Sequence, residues 1–139
     1  MGSPVVHFEV GGKNSSGLQK FYAKNFGWKI DAKNPMNYGV VATGADKGIA
    51  GGISPANDEG PAAWVTFYIE VPRIDPVLKQ ITKSGGKIVV PRTAIPDMVT
   101  FAQFQDPEGN LVGLVEPAPP PAPKPKAAKP KAKQKKTRR

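Results

Sequence analysis

The sequence of 139 residues has no cysteine and a single histidine, His7. The absence of cysteine excludes a disulfide framework and thiolate chemistry, and it fits a reducing compartment such as the cytoplasm. No stretch approaches the roughly 20 consecutive apolar residues that a membrane span requires. The N-terminus also lacks the charged and apolar regions of a signal peptide. These absences predict a cytoplasmic protein that makes no membrane contact.

The formal net charge of +9 is concentrated at one end of the chain. Residues 117–139 contain seven Lys, two Arg and no acidic residue, whereas residues 1–116 contain eleven basic and eleven acidic residues. The same terminal segment has seven of the sixteen prolines and no aromatic or large aliphatic side chain. Because it cannot bury apolar surface, it cannot offset the entropy of ordering its backbone. We therefore predict a folded domain over 1–116 and a disordered, Lys/Pro/Ala-rich basic tail over 117–139.

Within the domain, one order of elements occurs twice: strand, helix and three further strands. The two modules cover about 4–54 and 62–116, and they open on the apolar strands VVHFEV (5–10) and AWVTFYIEV (63–71). In the second module, Asp75-Pro76 predicts a helix with Asp75 as its N-cap and Pro76 as its first residue. Repeats this short must pair to bury a common core. The sequence therefore predicts an α+β fold made of two paired βαβββ modules.

Several motifs in these modules are similar to those of the vicinal oxygen chelate superfamily. They are the histidine on the first strand, the segment FYAKNFGW (21–28) and the segment DPEGNLVGLVE (106–116). That superfamily includes glyoxalase I, the bleomycin-resistance proteins, extradiol dioxygenases and fosfomycin-resistance enzymes. The resemblance implies that the two βαβββ modules form a curved, cup-shaped mixed sheet that holds a small molecule. It also implies a homodimer, since one-domain members usually build their sites with a partner chain.

In metal-dependent members of the superfamily, three strands each supply one metal ligand. His7 lies fifteen residues before Tyr22, which matches the first ligand position, but the family spacing places Thr66 and Gly113 at the other two. Catalytic Zn or Fe sites use about three ligands of the His or carboxylate type. Glu116 lies on the opposite face of its strand from Gly113, so it can replace that ligand only if a bulge shifts the register. The resemblance therefore implies that this chain uses no metal and no cofactor.

A set of residues on alternating strand positions is predicted to bind the ligand from the concave side of the sheet. Its members are His7, Glu9, Trp64, Thr66, Tyr68, Phe101 and Gln103. His7 is the only catalytic candidate, because only its unperturbed pKa lies near neutral pH. Glu9 shares a strand face with His7. Since a lone carboxylate in an apolar core costs several kcal/mol, either the strand ends reach solvent or a wet cavity lies between the strands.

Three functions remain open on the sequence alone. The first is a metal-independent protein that binds a small apolar or aromatic molecule in the cup. The second is a glyoxalase- or dioxygenase-like enzyme, a lyase or isomerase that uses His7 or a carboxylate as a general base. The third is an accessory protein that the basic tail brings to nucleic acid, with the cations of 124–139 contacting a polyanion independently of its sequence.

Overall fold

The structure is a computed structural model that describes residues 2–118. The predicted tail beyond residue 118 lies outside these residues. The described elements comprise ten segments in chain order: β1 (Val5–Gly12), α1 (Ser15–Phe26), β2 (Lys29–Asp31), β3 (Gly39–Ala42), β4 (Gly51–Pro55), β5 (Ala63–Glu70), α2 (Ile74–Lys83), β6 (Lys87–Ile95), β7 (Val99–Gln105) and β8 (Leu111–Val115). The order strand, helix, three strands is thus observed twice.

All eight strands belong to one mixed sheet in the order β2-β3-β4-β1-β5-β8-β7-β6. The two halves of this order mirror each other about β1 and β5, which pair antiparallel with Glu9 opposite Thr66. In each half, the opening strand pairs in parallel with the last strand, β1 with β4 and β5 with β8. The α+β fold with two βαβββ units in one curved sheet is therefore confirmed.

The main core lies on one side of the second half, between α2 and the sheet. It joins Ile74 and Leu78 of α2 to Ala102 and Phe104 of β7 and to Leu114 of β8. These β7 residues alternate with Phe101 and Gln103, so the core and the predicted binding residues occupy opposite faces. No helix among residues 2–118 is long and apolar enough to cross a membrane.

The first helix is packed differently from the second. No residue of α1 is buried, and Phe21 and Phe26 are 55% and 61% exposed. On its inner side, Tyr22 stacks on Trp28 with ring centroids 5.2 Å apart, and Trp28 contacts Phe8 of β1. The helix is therefore held by a small aromatic cluster and leaves two large apolar side chains in solvent.

The predicted start of the second helix is wrong by two residues. The helix begins at Ile74 with Arg73 as its N-cap, and Arg73 makes no side-chain capping bond. Glu116, which follows β8, instead accepts a hydrogen bond from the Ile74 backbone N–H at 2.9 Å. A carboxylate from a distant strand can satisfy a free N–H at a helix start as a local cap does. Sequence neighbours alone could not indicate that partner.

Candidate ligand-binding site

A cavity of about 770 Å³ lies on the concave face of the sheet. This volume is within the range of small-molecule sites, about 300–1,000 Å³. Both modules contribute to its walls, which are mostly apolar and include Met36, Val40, Val89, Met98, Phe101, Leu111 and Val115. Six of the seven predicted binding residues border it, and they are His7, Glu9, Trp64, Tyr68, Phe101 and Gln103. Their binding role stays a prediction.

Glu9 is the centre of the polar part of this cavity. It is only 4% exposed. One carboxylate oxygen accepts from the Trp64 indole Nε1 at 2.8 Å, and the other accepts from the Tyr38 hydroxyl at 3.1 Å. The Tyr68 hydroxyl lies 3.3 Å from both oxygens. Three donors therefore replace the water that burial removes, which lowers the cost of placing this carboxylate in an apolar wall.

Two further side chains extend the network away from Glu9. The His7 Nε2 atom lies 2.8 Å from the Tyr38 hydroxyl, and the Gln103 amide nitrogen donates to the Tyr68 hydroxyl at 2.9 Å. The network thus runs from His7 through Tyr38 to Glu9, and from Gln103 through Tyr68 to the same carboxylate. It connects β1, β5 and β7 through side chains of the concave face.

Burial sets the charge states in this network. It raises the pKa of the Glu9 carboxyl, while the hydrogen bonds from Trp64, Tyr38 and Tyr68 oppose that shift. Burial also raises the pKa of both tyrosine hydroxyls, and the Glu9 charge adds to this effect. The pKa of His7 is lowered by burial. At neutral pH, His7 is therefore neutral and both hydroxyls keep their protons.

Glycines make room for the rings that donate to Glu9. A Cβ atom at Gly52 would overlap the phenol of Tyr38, one at Gly113 would overlap the ring of Tyr68, and one at Gly11 would overlap the indole of Trp64. All three glycines lie on strands β4, β8 and β1. A larger residue at these positions would displace a ring, so the glycines allow the three donors to converge on one carboxylate.

The residues present do not fit the three-ligand metal site of the superfamily. Gly113 has no side chain, and the Tyr68 ring fills the space beside it. The Thr66 hydroxyl donates to the Leu111 carbonyl at 2.6 Å, and Thr66 does not border the cavity. Within residues 2–118, no group of three or more His, Cys, Asp or Glu side chains is placed to hold a metal ion.

Glu116 does not replace the missing third ligand. Its carboxylate accepts two hydrogen bonds from the Arg92 guanidinium, at 2.9 and 3.0 Å, as well as the bond from Ile74. These contacts lower the pKa of Glu116 to about 2. The Glu116 carboxylate is thus engaged by Ile74 at the start of α2 and by Arg92.

Sequence reasoning missed Tyr38, which links His7 to Glu9. It immediately precedes β3 and shares the alternation of Val40, which also borders the cavity. That alternation was the only available signal, because the hydrogen-bond partners of the Tyr38 hydroxyl are 29 and 31 residues away in the sequence. Glu9 is one of the predicted binding residues. The sequence suggested that solvent at the strand ends or a wet cavity would accommodate its charge, and did not indicate the three side chains that donate to it.

Comparison with known proteins identifies the family. Residues 5–114 match the Glyoxalase/Bleomycin resistance protein/Dioxygenase superfamily, and the chain belongs to that family. It is 35% identical over 101 residues to a glyoxylase-like domain-containing protein of Didymella fabae, a match that covers 66% of this chain and 76% of that protein. It is 29% identical over 84 residues to the putative glyoxylase CFP32 of Mycobacterium tuberculosis, covering 60% of this chain. The chain spans only 31% of the length of that mycobacterial protein.

Solved structures support the same fold. Methylmalonyl-CoA epimerase from Mycobacterium tuberculosis aligns with a TM-score of 0.63 and 14% identity, covering 83% of this chain and 88% of the epimerase. The Mn(II)-bound glyoxalase from Novosphingobium aromaticivorans aligns with a TM-score of 0.58 and 18% identity, covering 82% of this chain and 38% of that protein. At these identities the likeness concerns the fold alone.

Proposed function

We propose that the domain binds a small apolar or aromatic molecule in the concave cavity without a metal ion. The observation that carries this proposal is the Glu9 network. It engages both carboxylate oxygens and the Nε2 atom of His7, and the other two ligand positions of the superfamily are Thr66 and Gly113. Apolar walls with a few polar groups are the usual composition of small-molecule sites.

A neutral fluorescent probe tests this proposal. N-phenyl-1-naphthylamine is apolar, and its fluorescence rises when it leaves water. We expect saturable binding to the full chain, and we expect Phe101→Ala to weaken that binding because Phe101 borders the cavity. Phe26→Ala is the matched control, since Phe26 is exposed on α1 outside the cavity. Binding that Phe26→Ala removes and Phe101→Ala leaves intact would contradict the proposal.

An enzymatic function is the second candidate, and the position of His7 favours it. His7 borders the cavity and is neutral at pH 7, so it can accept a proton from a bound substrate. A panel of lyase and isomerase substrates, assayed with and without added Ni, Zn, Mn or Fe(II), tests this candidate. Turnover that His7→Ala abolishes would support it, and turnover that survives His7→Ala would contradict it.

We further propose that the chain works as a cytoplasmic homodimer. Large apolar side chains remain exposed away from the cavity, including Phe21 and Phe26 of α1 and Val65, which is 77% exposed on β5. Val65 alternates with Trp64 and Thr66, so it lies on the opposite face from the cavity. The absence of cysteine fits a reducing compartment. Sedimentation equilibrium tests the assembly, and a monomer at micromolar concentration would contradict it.

A further inference from the structure

In all the side-chain hydrogen bonds around Glu9, the neighbouring side chain donates and the Glu9 carboxyl group accepts. An indole N–H can only donate, so the Trp64 Nε1 atom donates to the Glu9 carboxyl oxygen 2.8 Å away. Each tyrosine hydroxyl has one proton, and the geometry directs the protons of Tyr38 and Tyr68 to Glu9. The carboxylate has about four acceptor positions, which is enough for these three donors.

This direction determines the outer ends of the network. Since the Tyr38 proton is directed to Glu9, its oxygen accepts from His7 Nε2, and neutral His7 then carries its proton on Nε2 and has an unprotonated Nδ1. Likewise, the Tyr68 oxygen accepts from the Gln103 amide nitrogen. The other polar atom of that amide, the Gln103 Oε1, is an acceptor. Among residues 2–118, no side chain donates a hydrogen bond to either of these acceptor atoms.

The charged residues at the cavity have one sign. Glu9, Glu70 and Glu116 border it, and no Lys or Arg of the described residues does so. An anionic group in the cavity would therefore meet the Glu9 and Glu70 side chains and unprotonated acceptors. Among residues 2–118 no Lys or Arg borders the cavity to compensate its desolvation, and the nearby Arg92 guanidinium is already paired with Glu116.

We infer that the cavity selects a molecule that presents hydrogen-bond donors on an aromatic body and carries no anionic group. His7 Nδ1 and Gln103 Oε1 are the acceptors for those donors. This inference rests on the proposed function, because it names the ligand class of the same cavity. A ligand that offers only acceptors, such as an ether, leaves both protein acceptors unpaired and loses affinity.

Three naphthalenes of matched shape test the inference: 2-naphthol has a donor, 2-methoxynaphthalene has only an acceptor, and 2-naphthoate is an anion. Calorimetry on the full chain is expected to show 2-naphthol binding about tenfold more tightly than 2-methoxynaphthalene, the effect of about one hydrogen bond. We expect 2-naphthoate to bind least tightly. The measured quantity is the ratio of dissociation constants, since a change in packing alone shifts naphthol and ether together.

Variants then test whether the Gln103 Oε1 atom causes the preference for 2-naphthol over 2-methoxynaphthalene. Gln103→Met removes one of the two acceptors and should reduce the ratio, whereas Gln105→Met, on the same strand but outside the cavity lining, should leave it unchanged. If Gln103→Met does not fold, the wild-type ratio alone decides. Equal or tighter binding of the ether or the anion overturns the inference and leaves the proposed function intact. Failure of all three probes to bind the folded chain overturns the proposed function and the inference with it.

Discussion

At the scale of single residues, the site depends on a buried carboxylate whose donors are positioned by glycines. Glu9 is stable in the cavity wall because Trp64, Tyr38 and Tyr68 donate to it. The rings reach it because the strands beside them have no side chain at the points of contact. Small changes at these glycines should therefore affect both stability and the network.

Gly113→Ala tests that steric requirement. The added methyl group would overlap the Tyr68 ring, so we expect a loss of about 1–3 kcal/mol in the free energy of unfolding. Gly2→Ala is the control, because nothing lies within 4 Å of its added Cβ. In a Tyr68→Val background the cost of Gly113→Ala should shrink, as measured by urea unfolding. An unchanged cost there would show that the ring is not the obstacle.

His7 gives a second residue-scale prediction, concerning pH. Burial lowers the pKa of His7 in the folded chain. Below about pH 6.5, His7 is therefore protonated to a greater extent in the unfolded chain than in the folded chain. The stability that neutral His7 allows is therefore present above pH 6.5 and decreases as pH falls, by at most about 1.4 kcal/mol per pH unit.

Because His7 is the only histidine, comparison with His7→Gln isolates its contribution. The raised pKa of Glu9 acts in the opposite direction, since it favours the folded chain at low pH and loses that effect as pH rises. The contribution of Glu9 is present both in the natural sequence and in His7→Gln. Urea unfolding from pH 7.5 to 5.5 should show a steeper loss for the natural sequence than for His7→Gln. Parallel curves would contradict the burial of His7.

At the scale of secondary-structure elements, Glu116 joins three parts of the second module. It follows β8, caps the first turn of α2 through Ile74, and pairs with Arg92 of β6. The helix consequently starts without a capping side chain at Arg73. The carboxylate also lies at the positive end of the helix dipole, where a negative charge is favourable.

Glu116→Ala should destabilise the chain by about 0.5–1 kcal/mol at pH 7, the usual effect of losing a helix cap. Glu108→Ala is the control, since Glu108 lies in the exposed turn before β8. The pKa of Glu116 is about 2, so its contribution is present above the ordinary glutamate pKa and is lost as pH falls from about 4.5 toward 2. Urea unfolding at pH 7 and pH 3 should therefore show a smaller difference at the lower pH. An equal difference at both would contradict the charge-assisted cap.

At the scale of the whole molecule, one curved sheet brings the two modules to a shared cavity. They join through the antiparallel pair β1 and β5, and the cavity walls include Val40 of β3 and Val89 of β6, from opposite halves of the strand order. The cavity therefore depends on the pairing of the modules, and neither module alone encloses it.

The basic tail gives a prediction at this scale. Its seven Lys and two Arg, with no acidic residue, should bind duplex DNA without sequence preference. If most of these cations contact phosphates, affinity should fall by about 10³-fold or more between 50 and 200 mM salt. The comparison is between the full chain and residues 1–118, which contain every described element. Equal binding by both, or binding by neither, would remove this role.

Much of the fold was predictable from the sequence because its signals are local. The doubled strand and helix pattern follows from periodicity, whereas the single curved sheet and the placement of His7 at the first ligand position are what the resemblance to the superfamily implies. The cap of α2 by Glu116 and the convergence of Tyr38, Trp64 and Tyr68 on Glu9 depend on residues 29 to 59 positions apart. Thr66 shows the same limit, since alternation placed it on the same strand face as Trp64 and Tyr68 but could not show that its hydroxyl bonds to the Leu111 carbonyl and that it does not border the cavity.

The cavity is proposed to bind its ligand without a metal ion. The most direct measurement is the affinity of N-phenyl-1-naphthylamine for the full chain after EDTA treatment, repeated after loading with Zn or Mn and accompanied by metal analysis. We expect dissociation constants that agree within about twofold, because the residues at the superfamily's ligand positions do not form a metal site. Binding that appears only with stoichiometric metal, and that His7→Ala removes together with the metal, would contradict it.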